Sequence, residues 1–515
     1  MVLNNNVSKF RVLRTKLEIE NAMKNFKALA LLLLVTYSNI GCFEDNDDIP
    51  ITTAEINDFV WKGMNLYYLY KEDVPNLANN RFSTSNDYLD YLDGFQNPKS
   101  LFEDLIYNRE NVDRFSWIVD DYIALEQFLS GTTSNNGMEY QLFKFSETDT
   151  NRYGVVTHVL PNTDAESKGI KRGDIFYGID GIPLTSSNSS QLLRQNSYTI
   201  NLGAYDDNST PETNDDSVNQ TSESISLSKS TYTENPILIH SILDLSNTKI
   251  GYLMYNGFTG TDQFNSELNA VFGTFKSGNI NELVLDLRYN PGGSVYTATL
   301  LSSLITGQFA GAIFNTEQWN PEFQEALQDQ NPEQLINRFL NNDNDASLNN
   351  LNLTKVYVLT TKSSASASEL VINSLRPYID VVQIGTATAG KYQASITVYD
   401  SPNFRRQGVN QRHAYAMQPL IYKSLNINGV TDYFNGLDPD IVLGEQFNNL
   451  GILGNVNEPL LAAAISRIMG TGRFPKLKSS FLKVTHGSED FEPFEVGMYT
   501  EKEIPLDLLN RFLVE

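Results

Sequence analysis

The chain is short of cysteine, histidine and positive charge, and each shortage removes a class of function. One cysteine, Cys42, stands in 515 residues, so no intrachain disulfide and no thiolate-rich metal site can form. The four histidines, His158, His240, His413 and His486, are far apart and make no H-E-x-x-H pattern, so a zinc site is not expected. With 38 Lys and Arg against 62 Asp and Glu, the net charge is −24; a nucleic-acid binder needs the opposite sign along its footprint. No G-x-S-x-G occurs, which removes the nucleophile elbow of the α/β hydrolases. What remains is a chain with 41% hydrophobic residues, enough for an ample core and two to four domains.

The N-terminus reads as an export signal. In "MKNFKALALLLLVTYSNIGC", Lys24 and Lys27 form a basic n-region, Ala28 to Val35 an apolar h-region, and small Gly41 precedes Cys42. The apolar run is too short to span a bilayer, and the pattern is that of a lipoprotein signal cleaved before the acylated cysteine. The chain's one cysteine falls at that point, and the acidic tether "FEDNDD" follows at once. Asn39 departs from the aliphatic residue usual there. These features predict a lipid anchor at Cys42 and an exported protein, on the outer membrane, the periplasmic side or the cell surface.

Residues 1–42 are thus the signal region and 43–51 a tether. Residues 52–130 carry aromatic residues at helical spacing and predict a small helical domain whose aromatic stripe is core, with Thr53 or Asn57 capping the first helix. Residues 131–240 predict a β-rich domain of short strands closed by Gly, Pro and Asp. Within it the polar stretch 205–233 is a flexible loop or a long hairpin. From 241 to 470 strand and helix alternate: "KIGYLMYNGF", "DQFNSELNAVFGTFKSG", "ELVLDLR", "VYTATLLSSLIT", "TKVYVLTT", "SASELVINSLRPYI", "DVVQIG". That order predicts an α/β domain built on a parallel sheet. The insert 308–352 reads as added helices, and 471–515 as a C-terminal extension.

"GTATAGK" at 385–391 satisfies the phosphate-loop pattern G-x-x-x-x-G-K. The chemistry fails, however. Tyr392 stands where Mg²⁺ needs Ser or Thr, and "YQASITVYD" alternates like a strand where a helix must receive the phosphates. Ser480-Phe-Leu-Lys483 matches S-x-x-K by chance, without its companion motifs. The stretch "TKSSASASEL" is different. It runs from an apolar strand into a helix, so a serine there meets the free N–H groups of a helix start. It also reads as an ordinary capping box. The balance tips on what surrounds it. "LDLRYNPGG" ends another parallel strand in a turn with exposed N–H groups. Lys391 follows Ser366 by 25 residues, one strand–helix–strand excursion that returns the chain to the same sheet edge.

"NPGG", "SASASEL" and "GTATAGK", in this order and spacing, resemble the carboxyl-terminal processing peptidases, or tail-specific proteases. "GVVTHVLPNTDAESKGIKRGDIFYGIDGIPL" resembles the PDZ domain these enzymes carry, and "GLDPDIVL" (436–443) their late Gly-x-x-Pro-Asp element. The resemblance spans about residues 120–445. It implies an α/β, crotonase-like ββα-spiral protease core preceded by a PDZ domain and an N-terminal helical domain. Further, it implies Ser366 as nucleophile, Lys391 as general base, and an oxyanion hole from the N–H groups of Ala367 and of Gly292 or Gly293. A lysine base must be neutral, so its surroundings must lower a reference pKa of ~10.4 by several units. Some members orient the lysine with a Gln four residues on; here that position is Ser395, and Gln393 or Ser395 is the substitute. The carboxylate-binding loop of the PDZ domain aligns with "NNGMEY", giving Gly137, Met138, Glu139 and Tyr140 as peptide-binding residues. Arg288 is expected to pair with a carboxylate as structure.

The implied activity is serine endopeptidase cleavage of polypeptides recognised through their C-terminal regions. It needs no cofactor, metal, nucleotide or nucleic acid. A catalytically inactive PDZ peptide-binding surface lipoprotein is the alternative, and a structural or glycan-related surface lipoprotein a weaker one.

Overall fold

A computed structural model of the chain describes residues 50–146, 148–210, 215–472, 483–488, 494 and 497–513. The signal-like segment, Cys42 and Ser480 lie outside these residues. The chain divides into two compact units, one of 52–410 with 414–515, the other of 1–51 with 411–413. The helical, β-rich and α/β parts all belong to the first.

Helix α1 (Thr53–Tyr67) is capped by Thr52, one residue earlier than expected. Glu55 explains the difference: its N–H donates to Thr52 Oγ1 at 3.2 Å and its carboxylate accepts the Thr52 N–H at 2.8 Å, a reciprocal capping box. Asn57 is buried and donates to Leu92 O at 2.9 Å. Helices α2 (Ser85–Asp93), α3 (Pro98–Asp104) and α4 (Tyr122–Leu129) follow, capped by Thr84, Asn97 and Asp121. A short strand, Trp117–Val119, pairs antiparallel with Ala416–Gln418 and ties the helical part to the later chain.

The β-rich domain is an antiparallel sheet in the order β1 (Met138–Lys144), β2 (Tyr153–Val159), β3 (Ile175–Ile179), β4 (Ser197–Asp206) and β5 (Ser217–Ser228). Leu142, Val156, Phe176, Ile200 and Leu227 alternate into its core, the period-2 pattern of a sheet with one buried face. The polar stretch within 205–233 is the long hairpin of β4 and β5.

The α/β part is a six-stranded sheet. Strand β6 (Ile237–Leu245) lies antiparallel on β7 (Thr248–Tyr255), which pairs in parallel with β8 (Glu282–Asp286). Then come β9 (Lys355–Thr360) and β10 (Asp380–Gly385), both parallel. Helix α5 (Asp262–Gly278) joins β7 to β8, α6 (Val295–Thr306) follows β8, and α8 (Ala367–Leu375) joins β9 to β10, with α7 (Pro321–Gln330) in the insert. Leu283, Val284, Leu285, Val358 and Ile384 are fully buried, as strands covered on both faces must be. Beyond the sheet, β11 (Gln393–Ser395) pairs with β12 (Leu420–Leu425), and β13 (Ile441–Val442) closes the edge beside β10. The last elements are α9 (Pro459–Ile468), β14 (Lys483–Gly487) and α10 (Leu506–Leu513).

The insert departs from the expected helices. Among its described residues only α7 is α-helical; Pro332 opens a separate 3₁₀ turn (Pro332–Leu335), since proline cannot continue the preceding helix. Ile313–Trp319 instead forms a strand paired with β12.

Candidate active site

Ser366 begins α8 with φ +62° and ψ −112°, a left-handed conformation that costs a non-glycine residue about 1–3 kcal/mol. Three serines of the motif point different ways. Ser364 Oγ donates to Leu287 O at 2.8 Å and Ser368 Oγ to Asn290 O at 3.0 Å. Ser366 Oγ is buried and has no hydrogen-bond partner. Only half of the capping box forms, the Ser366 N–H donating to Glu369 Oε2 at 2.8 Å, so the hydroxyl is left for other chemistry.

Glu369 was not foreseen as a site residue. Its carboxylate accepts the N–H groups of Ser366, Gly390 and Lys391 at 2.8, 2.7 and 2.8 Å, and the Thr388 hydroxyl at 2.5 Å. One buried group therefore ties the start of α8 to the turn that carries Lys391. Burial raises its pKa, and these donors oppose the rise. Its only sequence signal was its place three residues after Ser366, which reads equally as a cap.

Lys391 is 3% exposed. Its Nζ lies 4.7 Å from the centre of the Phe115 ring. Arg114 donates to Gly390 O at 3.1 Å. The helical domain thus contributes Phe115, from which periodicity gave no warning. Gln393 donates to Tyr70 OH at 2.9 Å and its Oε1 has no partner; among the described contacts it does not orient Lys391. Ser395 Oγ donates to Met498 O at 3.2 Å.

The glycine turn meets the serine closely. Gly292 has φ +110°, and a β-carbon there would stand 2.5 Å from Ser366 Cβ and 3.0 Å from Ala367 N. Asn290 sets the turn, donating to Tyr255 O at 2.8 Å and accepting the Gly292 N–H at 2.9 Å. Gly292 N–H is therefore occupied. Among the described residues no hydrogen bond engages the N–H of Gly293 or of Ala367. Of the two glycines left open by the sequence, Gly292 is the one whose N–H is engaged by a described hydrogen bond.

In the β-rich domain Gly137 has φ +87°, and a β-carbon there would overlap Thr163. Asn135 Oδ1 accepts the Gly137 N–H at 2.7 Å and Asn136 Oδ1 the Met138 N–H at 3.0 Å. The loop's own asparagines thus hold two of the amides expected to receive a peptide carboxylate. Glu139 accepts from Asn135 Nδ2 at 2.8 Å and from the Ser488 hydroxyl, and the Tyr140 N–H donates to Ser488 Oγ at 3.3 Å.

A buried ion network joins this domain to the catalytic sheet. Arg172 donates to Glu445 Oε1 at 2.6 Å and to Tyr289 OH at 2.7 Å. Arg288 meets Asp286, Glu445 and Glu458 at 2.8, 3.1 and 2.6 Å, the structural pairing expected of it. Burial alone would raise the Glu445 carboxyl, but Arg172 and Arg288 hold it down at about 2. His158 stacks on Tyr289 at 5.3 Å, and burial lowers its pKa to about 4, so it is neutral at pH 7. Tyr289 directly precedes the Asn290–Gly293 turn.

No group of metal-ligating side chains occurs among the described residues, and no described helix is long and apolar enough to cross a membrane. Residues 249–443 match the model of peptidase family S41, and residues 55–117 that of the peptidase S41 N-terminal domain; the β-rich domain lies between the two matches. A crystal structure from Bacteroides fragilis, described as an S41 protease, is 26% identical, with a TM-score of 0.61 over 81% of this chain and 98% of that one. The photosystem II D1 C-terminal processing protease is 16% identical, with a TM-score of 0.46 over 80% of this chain and 98% of that one. With both parts of one family matched in order, around a serine and a lysine held on a single buried carboxylate beside a glycine turn, the chain belongs to peptidase family S41 and is a peptidase.

Proposed function

We propose that the protein is an exported serine endopeptidase acting through Ser366 and Lys391. Ser366 Oγ attacks the scissile carbonyl carbon while neutral Lys391 takes its proton. The N–H groups of Gly293 and Ala367 stabilise the oxyanion. Collapse expels the amine, which receives the proton from Lys391, and water then hydrolyses the acyl-enzyme by the same path. The observation that carries this reading is Ser366: a strained, buried hydroxyl without a partner, beside the glycine turn, on a carboxylate shared with Lys391.

The parallel sheet with its crossing helices supports a crotonase-like core. The β-rich domain supports a PDZ-like module that binds extended polypeptide by strand addition on β1. Capture of a free C-terminal carboxylate requires Asn135 and Asn136 to release the Gly137 and Met138 amides. The anchor is a lipid on Cys42; incorporated radiolabelled palmitate should vanish in Cys42→Ala, and label that persists contradicts the anchor.

The test is cleavage of an unfolded reporter polypeptide by the purified chain. Ser366→Ala should lose activity at least ~1,000-fold with an unchanged thermal melt. A variant as active as the parent chain, or a parent that binds and never cleaves, favours the inactive peptide binder.

A further inference from the structure

The last part of the chain lies along the route that the proposed reading assigns to substrate. β14 adds antiparallel to the outer edge of β1, Lys483 opposite Lys144 and Gly487 opposite Gln141. Thr485 Oγ1 donates to Leu142 O at 3.2 Å, and Ser488 receives the Tyr140 N–H. An edge strand has one free row of N–H and C=O groups, and β14 takes it. Farther on, Phe494 packs between Trp117 and Phe128, ring centres 5.8 and 5.4 Å away.

Residues 498–500 then run through the cleft between the glycine turn and β11. On one side the Ser395 N–H donates to Met498 O at 2.9 Å and the Thr500 N–H to Ser395 O at 3.1 Å. On the other the Tyr499 N–H donates to Gly293 O at 3.1 Å and the Val295 N–H to Tyr499 O at 3.0 Å. Both walls are therefore hydrogen-bonded to this segment. Gly497 touches the base: a β-carbon there would overlap Lys391 Nζ. Beyond the cleft, α10 holds the end of the chain, Phe512 stacking on Phe323 of α7 with ring centres 5.4 Å apart.

The loop at Gly137 fits this occupant. Its amides are held by Asn135 and Asn136, so the groove as it stands suits an internal strand that passes on, as the tail does, rather than a terminal carboxylate. Ser366 Oγ, without a partner, is a nucleophile not engaged by its base.

We propose that residues 483–488 and 497–500 act as an intramolecular pseudo-substrate, the first filling the β1 edge and the second the catalytic cleft, so that turnover requires their displacement. The proposal rests on the Ser366–Lys391 reading of the site and on β1 as the docking edge. A tethered ligand competes at an effective concentration near the millimolar range, so a dilute substrate loses to it. Displacement then follows from a polypeptide that takes the β1 edge better than β14 does.

The test uses the full chain. Thr485→Pro disrupts β14, and Tyr499→Pro removes the N–H that holds the cleft strand to Gly293. Each should raise kcat/KM for an unfolded fluorescent reporter polypeptide at least ~10-fold, dependent on Ser366. A synthetic peptide spanning 483–505 should inhibit Thr485→Pro in trans. Unchanged or lower activity in both variants overturns the proposal, as does a peptide that does not inhibit. Ser366-dependent cleavage of the chain between 494 and 500, read by mass spectrometry, overturns it too, because the segment is then a substrate. A readout without turnover separates this inference from the catalytic one. In Ser366→Ala, saturating reporter polypeptide should speed hydrogen exchange of the Tyr499 and Thr500 amides at least ~10-fold. Unchanged exchange contradicts the strap whether or not the parent chain cleaves anything.

Discussion

At the scale of single residues, the site is organised by what each polar group is already bonded to. Ser364 and Ser368 are committed to backbone carbonyls and Ser366 is not. In the proposed mechanism Glu369 is a positioning residue, holding the backbones of Ser366 and Lys391 on one oxygen. Glu369→Gln turns an amide NH₂ toward converging donors, leaving at least one N–H or hydroxyl unsatisfied at a cost of about 1–3 kcal/mol. A shift of the lysine turn of under an ångström should lower kcat about 10- to 100-fold with little change in KM. A thermal melt and steady-state kinetics check both; a variant that loses stability with kcat intact reduces Glu369 to a structural cap.

At the scale of elements, the alternating strands and helices from 249 to 385 were legible because buried parallel strands are continuous apolar runs and the helices between them carry the 3.6 period. That is what brings Ser366 and Lys391 to one end of β9 and β10. The missed parts have local explanations. Thr52 rather than Thr53 caps α1 because the reciprocal partner is Glu55. Ile313–Trp319 is a strand because β12, more than a hundred residues later, supplies its partner, and no local window contains that. The aromatic stripe was legible as core, and Phe115 at Lys391 was not, since which aromatic reaches across to another domain is settled by tertiary packing. The pairing of β14 was invisible for the same reason: a strand that pairs with β1, some 340 residues earlier, has no signature of its own.

At the scale of the molecule, the β-rich domain is fastened to the catalytic sheet by charge in a buried place. Removing one partner from such a network leaves the others uncompensated. The Glu445 carboxyl, held at about 2 by Arg172 and Arg288, sits below the ordinary unfolded value of ~4.3. A depressed carboxyl contributes stability above its unfolded pKa and loses it as the pH falls through the folded one. His158, lowered to about 4, acts in the same direction: the unfolded chain binds its proton first, so stability falls from about pH 6.5 toward pH 4. These two groups each contribute a loss of stability as the pH falls from 6.5 to 2, whereas buried carboxyls that are raised, such as Glu369 and Glu317, act in the opposite direction. In Glu445→Gln the melt at pH 7 should be lower and the loss between pH 4.5 and pH 2 shallower; a slope equal to the parent's means the network is not what acid breaks. The central claim, that Ser366 is a nucleophile activated by Lys391, is tested most directly by trapping the acyl-enzyme. After brief exposure to an activated ester and acid quench, peptide mapping should find one acyl group on Ser366 in the parent chain and none in Lys391→Ala. Acylation at another residue, or equal acylation of Ser366 without Lys391, would contradict it.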